Sequence, residues 1–135
     1  MKYYAVIDTN VLLSALLSKK SDTATVKILK AVMDGTIIPL LHEEILAEYA
    51  EVLNRPKFHL SSHTVQFVLN AIKGYGLEVS PSPTGVSLVD PDDLIFYEVA
   101  CEKQSEGACL VTGNLKHYPV SPFIITPAQM ADILS

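Results

Sequence analysis

Four acidic residues stand where their carboxylates could bind a divalent metal ion. Asp8 directly follows a short apolar run, Glu48 lies in a predicted amphipathic helix, and Asp90 and Asp93 open another helix. Neighbouring carboxylates repel one another unless a cation lies between them. Mg²⁺ and similar hard ions prefer carboxylate, water and phosphate oxygens as ligands. These four acids are therefore candidates for one metal site, and phosphate chemistry is the reaction class that such a site would serve.

Each acid also has a local structural explanation. Asp8 could cap the helix predicted from Val11. Asp90 could cap the helix that it opens, with Pro91 as the first helical residue and Asp93 as a first-turn acid that complements the helix dipole. Glu48 could belong to an ordinary solvated acidic stripe, since its helix carries four glutamates. At ~100° per residue, however, Glu48 borders the apolar face of that helix, which points it towards a crevice. Position alone leaves both interpretations open.

A fifth polar residue, Asn114, follows a buried run that ends at Thr112 and Gly113. Its amide and the Thr112 hydroxyl could join a site, although a plain turn explains the same residues. Other chemistries find little support: the four histidines lack metal-binding spacing, no serine lies in a nucleophile elbow, and no glycine-rich phosphate loop is present. A phosphatase with a nucleophilic Asp8 would usually need a second Asp at position 10, which is Asn.

The elements that must position these residues alternate between strands and helices. Strands are predicted at Tyr3–Ile7, Thr36–Leu41, Leu77–Val79, Ala108–Thr112 and Phe123–Ile125. Helices are predicted at Val11–Leu17, from a cap at Ser21 or Asp22 to Gly35, at Glu43–Leu53, from Ser61 or Ser62 to Gly74, from Asp90 to about Gln104, and from Thr126–Pro127 onward. This alternation predicts an α/β fold of three α/β/α layers with a mostly parallel central sheet. Pro39 suggests that its strand lies at an edge or ends early.

In such a sheet, ligands bind at the carboxyl ends of the strands. Asp8 and Asn114 each lie just beyond a predicted strand's carboxyl end. This shared position is the first structural indication of a site.

The length and charge of the chain agree with a small domain that binds a metal ion. The 135 residues fit a single domain, 1–135, and the net charge of −5 argues against a broad basic binding face. The four candidate acids account for most of that charge, which a bound cation would offset. The two cysteines predict no disulfide framework, and no apolar run would span a membrane. We expect a cytoplasmic protein.

Taken together, several segments resemble the PIN-domain family over nearly the whole chain. They are Ala5–Ser14, Glu44–Glu48 with Leu53–Phe58, Asp90–Asp93 with Ala100, Leu110–His117 and Thr126–Ala128. The subgroup that they resemble most is described as toxin components of toxin–antitoxin systems.

The resemblance implies an endoribonuclease that hydrolyses single-stranded RNA with Mg²⁺ or Mn²⁺. By position, Asp8, Glu48 and Asp93 would be the metal ligands, with Asp90 an additional acid. Position 114 is often Asp in the family and is Asn here, which weakens a second metal position. A homodimer and a protein antitoxin are implied as partners. Two alternatives stay open: a non-catalytic PIN-like module that binds RNA or protein, and a metal-dependent phosphatase.

Overall fold

The computed structural model of the protein describes residues 1–135. Five strands alternate with six helices. The strands are β1 (Tyr3–Ile7), β2 (Ile37–Leu41), β3 (Leu77–Glu78), β4 (Cys109–Val111) and β5 (Ile124–Ile125). The helices are α1 (Thr9–Leu17), α2 (Ala24–Met33), α3 (Glu43–Leu53), α4 (Ser62–Tyr75), α5 (Leu94–Glu102) and α6 (Pro127–Leu134).

All strand pairs are parallel, in the order β3-β2-β1-β4-β5. With its helices the sheet forms the expected three-layer α/β/α fold. The chain moves outward from β1 to β3 on one side, then returns to place β4 on the other side of β1. This reversal separates the connections that leave β1 and β4, and it opens a crevice at their carboxyl ends.

The core explains why β1 holds its place at the centre. Ala5, Val6 and Ile7 are fully or almost fully buried, because both faces of a parallel sheet are covered. Behind them the rings of Tyr49 in α3 and Phe96 in α5 lie 6.1 Å apart. The carboxyl end of β1 is therefore supported by apolar side chains from β1, α3 and α5.

Pro39 does not mark an edge strand, and that prediction was wrong: β2 lies between β1 and β3. The amide of Val79 donates to the carbonyl of Leu41, so Leu41 faces β3, and strand alternation makes Pro39 face the same side. Pairing with β3 begins only opposite Leu40. The missing N–H of Pro39 thus faces a part of the strand that β3 does not reach.

Three helix starts also differ from the prediction. Helix α1 begins at Thr9, two residues before the predicted Val11, with Asp8 as its cap. The hydroxyl of Thr23 accepts from the Val26 amide and caps α2, in place of Ser21 or Asp22. The segment Pro91–Asp93 forms a 3₁₀ turn before α5, so the α-helix proper begins at Leu94. None of the helices has the length and apolar character needed to cross a membrane.

Candidate metal centre

Asp8 lies at the point where β1 and β4 end side by side. Its backbone amide donates to the carbonyl of Val111 over 2.9 Å, which continues the ladder between the two strands. Thr112, the residue that follows β4, donates its hydroxyl to Oδ2 of Asp8 over 2.7 Å. The two strand ends are therefore joined through backbone and side chain at the first candidate residue.

Asp8 is buried and held by three donors. Besides Thr112, the Thr9 amide donates to Oδ1 over 2.9 Å, and the Tyr118 hydroxyl donates to Oδ2 over 3.2 Å. Burial raises the pKa of Asp8, and these hydrogen bonds oppose the rise. Asp8 also occupies the N-cap of α1, so the capping explanation holds alongside any role in a site.

Glu48 reaches the same region from α3. The adjacent residue, Tyr49, is buried and donates its hydroxyl to the carbonyl of Ile7, which ties α3 to the end of β1. Oε2 of Glu48 accepts a hydrogen bond from the Thr9 hydroxyl. Burial raises the pKa of Glu48, the Thr9 bond lowers it, and the charges of Asp8 and Asp93 raise it further.

Asp93 closes the 3₁₀ turn ahead of α5 and is only 9% exposed. Its Oδ2 lies 3.1 Å from Nδ1 of His117, and an ionised carboxylate can only accept there, so Nδ1 donates. Burial and the charge of Asp8 raise the pKa of Asp93, whereas the His117 contact lowers it. Asp8 and Asp93 therefore lie on the same side of the molecule, close enough for the charge of Asp8 to raise the pKa of Asp93.

Asp90 and Asn114 lie at the margin of this cluster. Asp90 is exposed and accepts from the Asp92 amide over 3.0 Å, as an N-cap does, although its charge also raises the pKa of Asp93. Asn114 is exposed, and its backbone amide donates to the Thr112 hydroxyl over 3.0 Å. The structure thus places both residues next to the buried acids without a direct side-chain bond to them.

The donor chemistry fits a hard divalent cation, although the side chains do not converge on one point. No three His, Cys, Asp or Glu side chains are arranged to hold an ion between them. Mg²⁺ is commonly bound through one or two carboxylates together with waters and substrate phosphate oxygens. The three acids with raised pKa values, Asp8, Glu48 and Asp93, would supply such ligands, and a cation would relieve their mutual repulsion.

Beside the cluster, a groove of about 600 Å³ runs between α3 and α5. We call it the acidic groove. Its charged lining consists of five acids and one base: Glu44, Glu48, Glu51, Asp92, Glu98 and Arg55. The single base is already paired, since Arg55 Nη2 lies 2.8 Å from Glu51 Oε2. The groove therefore carries a strong negative charge.

Sequence reasoning missed three residues that contact the acids: Thr9, His117 and Tyr118. Thr9 bridges between elements far apart in the chain, which no local pattern reveals. His117 and Tyr118 follow a predicted strand end within six residues of Thr112, and that proximity was an available signal. The absence of metal-binding spacing among the histidines was a poor reason to dismiss His117, because its role here is to contact a carboxylate.

Comparison with known proteins bears on the family of the chain. No match to a curated protein was found. The sequence profile of the PIN domain matches residues 4–116, a span that includes Asp8, Glu48, Asp93 and Asn114. PIN domains are generally nucleases, often ribonucleases, and they generally use divalent metal ions. The chain therefore belongs to the PIN-domain family.

Proposed function

We propose that residues 1–135 form one nuclease domain that hydrolyses single-stranded RNA with Mg²⁺ or Mn²⁺ as cofactor. One observation supports this most: Asp8, Glu48 and Asp93 come from three distant segments, and the charges of the other two acids raise the pKa of Glu48. Carboxylates that lie close together repel one another, so a bound cation would stabilise this arrangement. Membership of a family of nucleases makes a phosphodiester the expected substrate.

In this proposal Asp8, Glu48 and Asp93 hold the ion, and Asp90 and Asn114 contribute from the margin through water. When bound, a divalent ion lowers the pKa of water and offsets charge on the phosphate. Thr112, Tyr118 and the Thr9 amide keep the Asp8 carboxylate in one orientation. His117 does the same for Asp93. Attack by water would leave a 5′-phosphate and a 3′-hydroxyl.

The test is removal of single carboxylate charges. We expect Asp8→Asn and Asp93→Asn each to lower Mn²⁺-dependent cleavage of a single-stranded RNA by about 100-fold or more, because each removes a charged oxygen ligand. Excess chelator should abolish wild-type cleavage. Calorimetric titration with Mn²⁺ should show binding to the wild type and weaker binding to either variant.

Glu43→Gln is the matched control, because Glu43 belongs to the same helix as Glu48 and is exposed. It should leave cleavage and Mn²⁺ binding at wild-type levels. Full activity of an Asp8→Asn, Asp93→Asn double variant, or unchanged activity in chelator, would refute the mechanism.

We also propose, from the family resemblance, that the protein acts in the cytoplasm as the toxin of a toxin–antitoxin pair. It would form a homodimer and bind a protein antitoxin. Induced expression should then slow growth of a bacterial host, and Asp8→Asn should relieve this effect. Light scattering would measure the oligomeric state.

A second function, a non-catalytic module that binds RNA or protein, also has specific support. Position 114 carries Asn, and no three potential ligands converge on one point. Mn²⁺ titration separates the two cases, because a module of this kind would show no binding at millimolar metal.

A further inference from the structure

Two further grooves meet beside Asp8, and neither contains a carboxylate. The first, of about 500 Å³, lies between α1 and α2; we call it the α1–α2 groove. Its lining is uncharged and consists of Asn10, Leu13, Leu17 and four hydroxyl residues, Ser14, Ser18, Thr23 and Thr25. The second, of about 420 Å³, lies along the segment after β4 and includes Lys116 and His117; we call it the β4-loop groove.

The two grooves adjoin at one contact. Asn10 lines the α1–α2 groove and Gly113 lines the β4-loop groove. The Gly113 amide donates to Oδ1 of Asn10 over 3.4 Å. Asn10 is two residues beyond Asp8, and Gly113 follows the Thr112 that binds Asp8. A ligand lying across this junction would therefore pass directly over the first candidate metal ligand.

Charge distinguishes these grooves from the acidic groove, which shares no lining residue with them. The acidic groove would repel a polyanion through five carboxylates, and its only base is paired. The α1–α2 groove contains no charged side chain, and the exposed Lys19 and Lys20 follow Ser18 at its end. Lys116 adds a base to the β4-loop groove.

The hydroxyls are suited to a sugar–phosphate backbone. The Ser14 and Thr25 hydroxyls share a hydrogen bond of 3.3 Å in the α1–α2 groove, and the Ser18 and Thr23 hydroxyls share one of 3.5 Å. Ser18 and Thr23 also bond backbone groups of the loop and of α2, so Ser14 and Thr25 are the hydroxyls with the most remaining bonding capacity. Serine and threonine hydroxyls donate to phosphate oxygens and can also accept from a ribose 2′-hydroxyl. Such contacts bind a strand without selecting its bases.

We propose that single-stranded RNA crosses the carboxylate cluster along the α1–α2 groove and the β4-loop groove, with Asn10 and Gly113 at the junction, and avoids the acidic groove. This inference rests on the proposed ribonuclease function. It adds the path of the substrate strand and the side chains that contact its backbone.

The test places the same charges in the α1–α2 groove and in the acidic groove. Ser14 in the α1–α2 groove and Ala47 in the acidic groove are both exposed helix positions, so Arg or Glu can be introduced at each. Binding of a fluorescein-labelled oligouridine of about 12 nucleotides is measured by anisotropy in chelator, which keeps cleavage out of the measurement. Salt of about 0.1 M limits each charge to a range of about 10 Å.

We expect Ser14→Arg to tighten binding by about threefold and Ser14→Glu to weaken it by about threefold, whereas the Ala47 pair changes it by less than about 1.5-fold. Lys116→Ala should lower the slope of log affinity against log salt by about 0.7, one phosphate contact for a single strand. Circular dichroism and melting curves check that each variant is folded.

Three outcomes would overturn the path. Equal effects of the Ser14 and Ala47 pairs would mean that RNA affinity depends only on the overall charge of the protein. A larger effect at Ala47 would place the strand in the acidic groove. In both cases the ribonuclease function would still stand, because the wild type would bind and cleave RNA. Absence of wild-type RNA binding in chelator would overturn the path alone if Mn²⁺-dependent cleavage persists, and would overturn the path together with that function if cleavage is absent too.

Discussion

At the scale of single residues, Asp8 depends on the donors around it. Its carboxylate is buried, and burial disfavours the charged form, so each hydrogen bond that it accepts helps to keep it ionised. Tyr118 contributes one of these bonds from a segment that lies outside the strands. The same burial and the charge of Asp8 raise the pKa of Tyr118, which therefore remains a donor at neutral pH.

Removing the Tyr118 hydroxyl should affect both stability and Asp8. We expect Tyr118→Phe to lower the free energy of unfolding by about 0.5–1.5 kcal/mol, the usual net value of one hydrogen bond. It should also raise the pKa of Asp8 further, because a bond that lowers this pKa is lost. Urea denaturation and NMR titration of the carboxyl carbon measure the two effects.

Tyr75→Phe is the control for this change, since Tyr75 is 50% exposed on α4. It should alter neither quantity. Identical stability of the Tyr118 and Tyr75 variants would show that the Tyr118 hydroxyl contributes nothing to the folded state.

At the scale of elements, the end of α4 shows how tightly the helices pack on the sheet. Gly76 follows α4 and precedes β3, with an ordinary φ of −85°. A Cβ built there would lie 2.3 Å from Cδ1 of Leu41 and 2.8 Å from the carbonyl oxygen of Ile72. Glycine is therefore required for close approach to β2 and not for an unusual backbone angle.

A pair of alanine substitutions tests this packing. Gly76→Ala should destabilise the protein by about 1–3 kcal/mol, because backbone and core atoms must shift to admit a methyl group. Gly74→Ala should instead stabilise it by about 0.5–1 kcal/mol, since Gly74 lies within α4 and a Cβ there meets nothing within 4 Å. Thermal or urea unfolding decides; the same sign for both variants would contradict the steric explanation.

At the scale of the whole molecule, the fold concentrates negative charge at one edge of the sheet. The pKa values of Asp8, Glu48 and Asp93 are all raised, so in the metal-free protein each ionised acid is disfavoured by folding. For Asp93 this cost to the free energy of unfolding is absent when the pH is well below the ordinary pKa of 3.8. It develops as pH rises from that value through the folded-state pKa, and above it the full penalty remains.

Neutralising one acid should therefore stabilise the metal-free protein. In chelator near neutral pH, Asp93→Asn should unfold at higher urea than the wild type, and the difference should shrink as pH falls towards about 4. The Glu43→Gln control should show no such gain. Mn²⁺ should stabilise the wild type more than Asp93→Asn, because it binds the folded state. Lower stability of Asp93→Asn at neutral pH would contradict the prediction.

The fold was largely predictable because its signals are local. Apolar runs such as Tyr3–Ile7 predicted buried strands, and residues that typically end helices predicted most helix ends. The last helix starts at Thr126–Pro127 as predicted, with Thr126 as its cap. The alternation of strands and helices then predicted a parallel sheet. The edge position predicted from Pro39 was wrong because the missing N–H faces β3, and β3 is too short to pair with that part of β2. The length of β3 depends on tertiary packing, which the local sequence does not show.

For the site, the sequence by itself determined which acids and which strand ends were available: Asp8 after β1, Asn114 after β4, and Glu48 on the border of an apolar helix face. Tertiary structure decided how they meet. The bonds from Thr9 to Glu48, from Tyr118 to Asp8 and from His117 to Asp93 join different segments of the chain. Their formation depends on the strand order and on the anchoring of α3 through Tyr49, because a hydrogen bond requires a separation that only the packed fold sets.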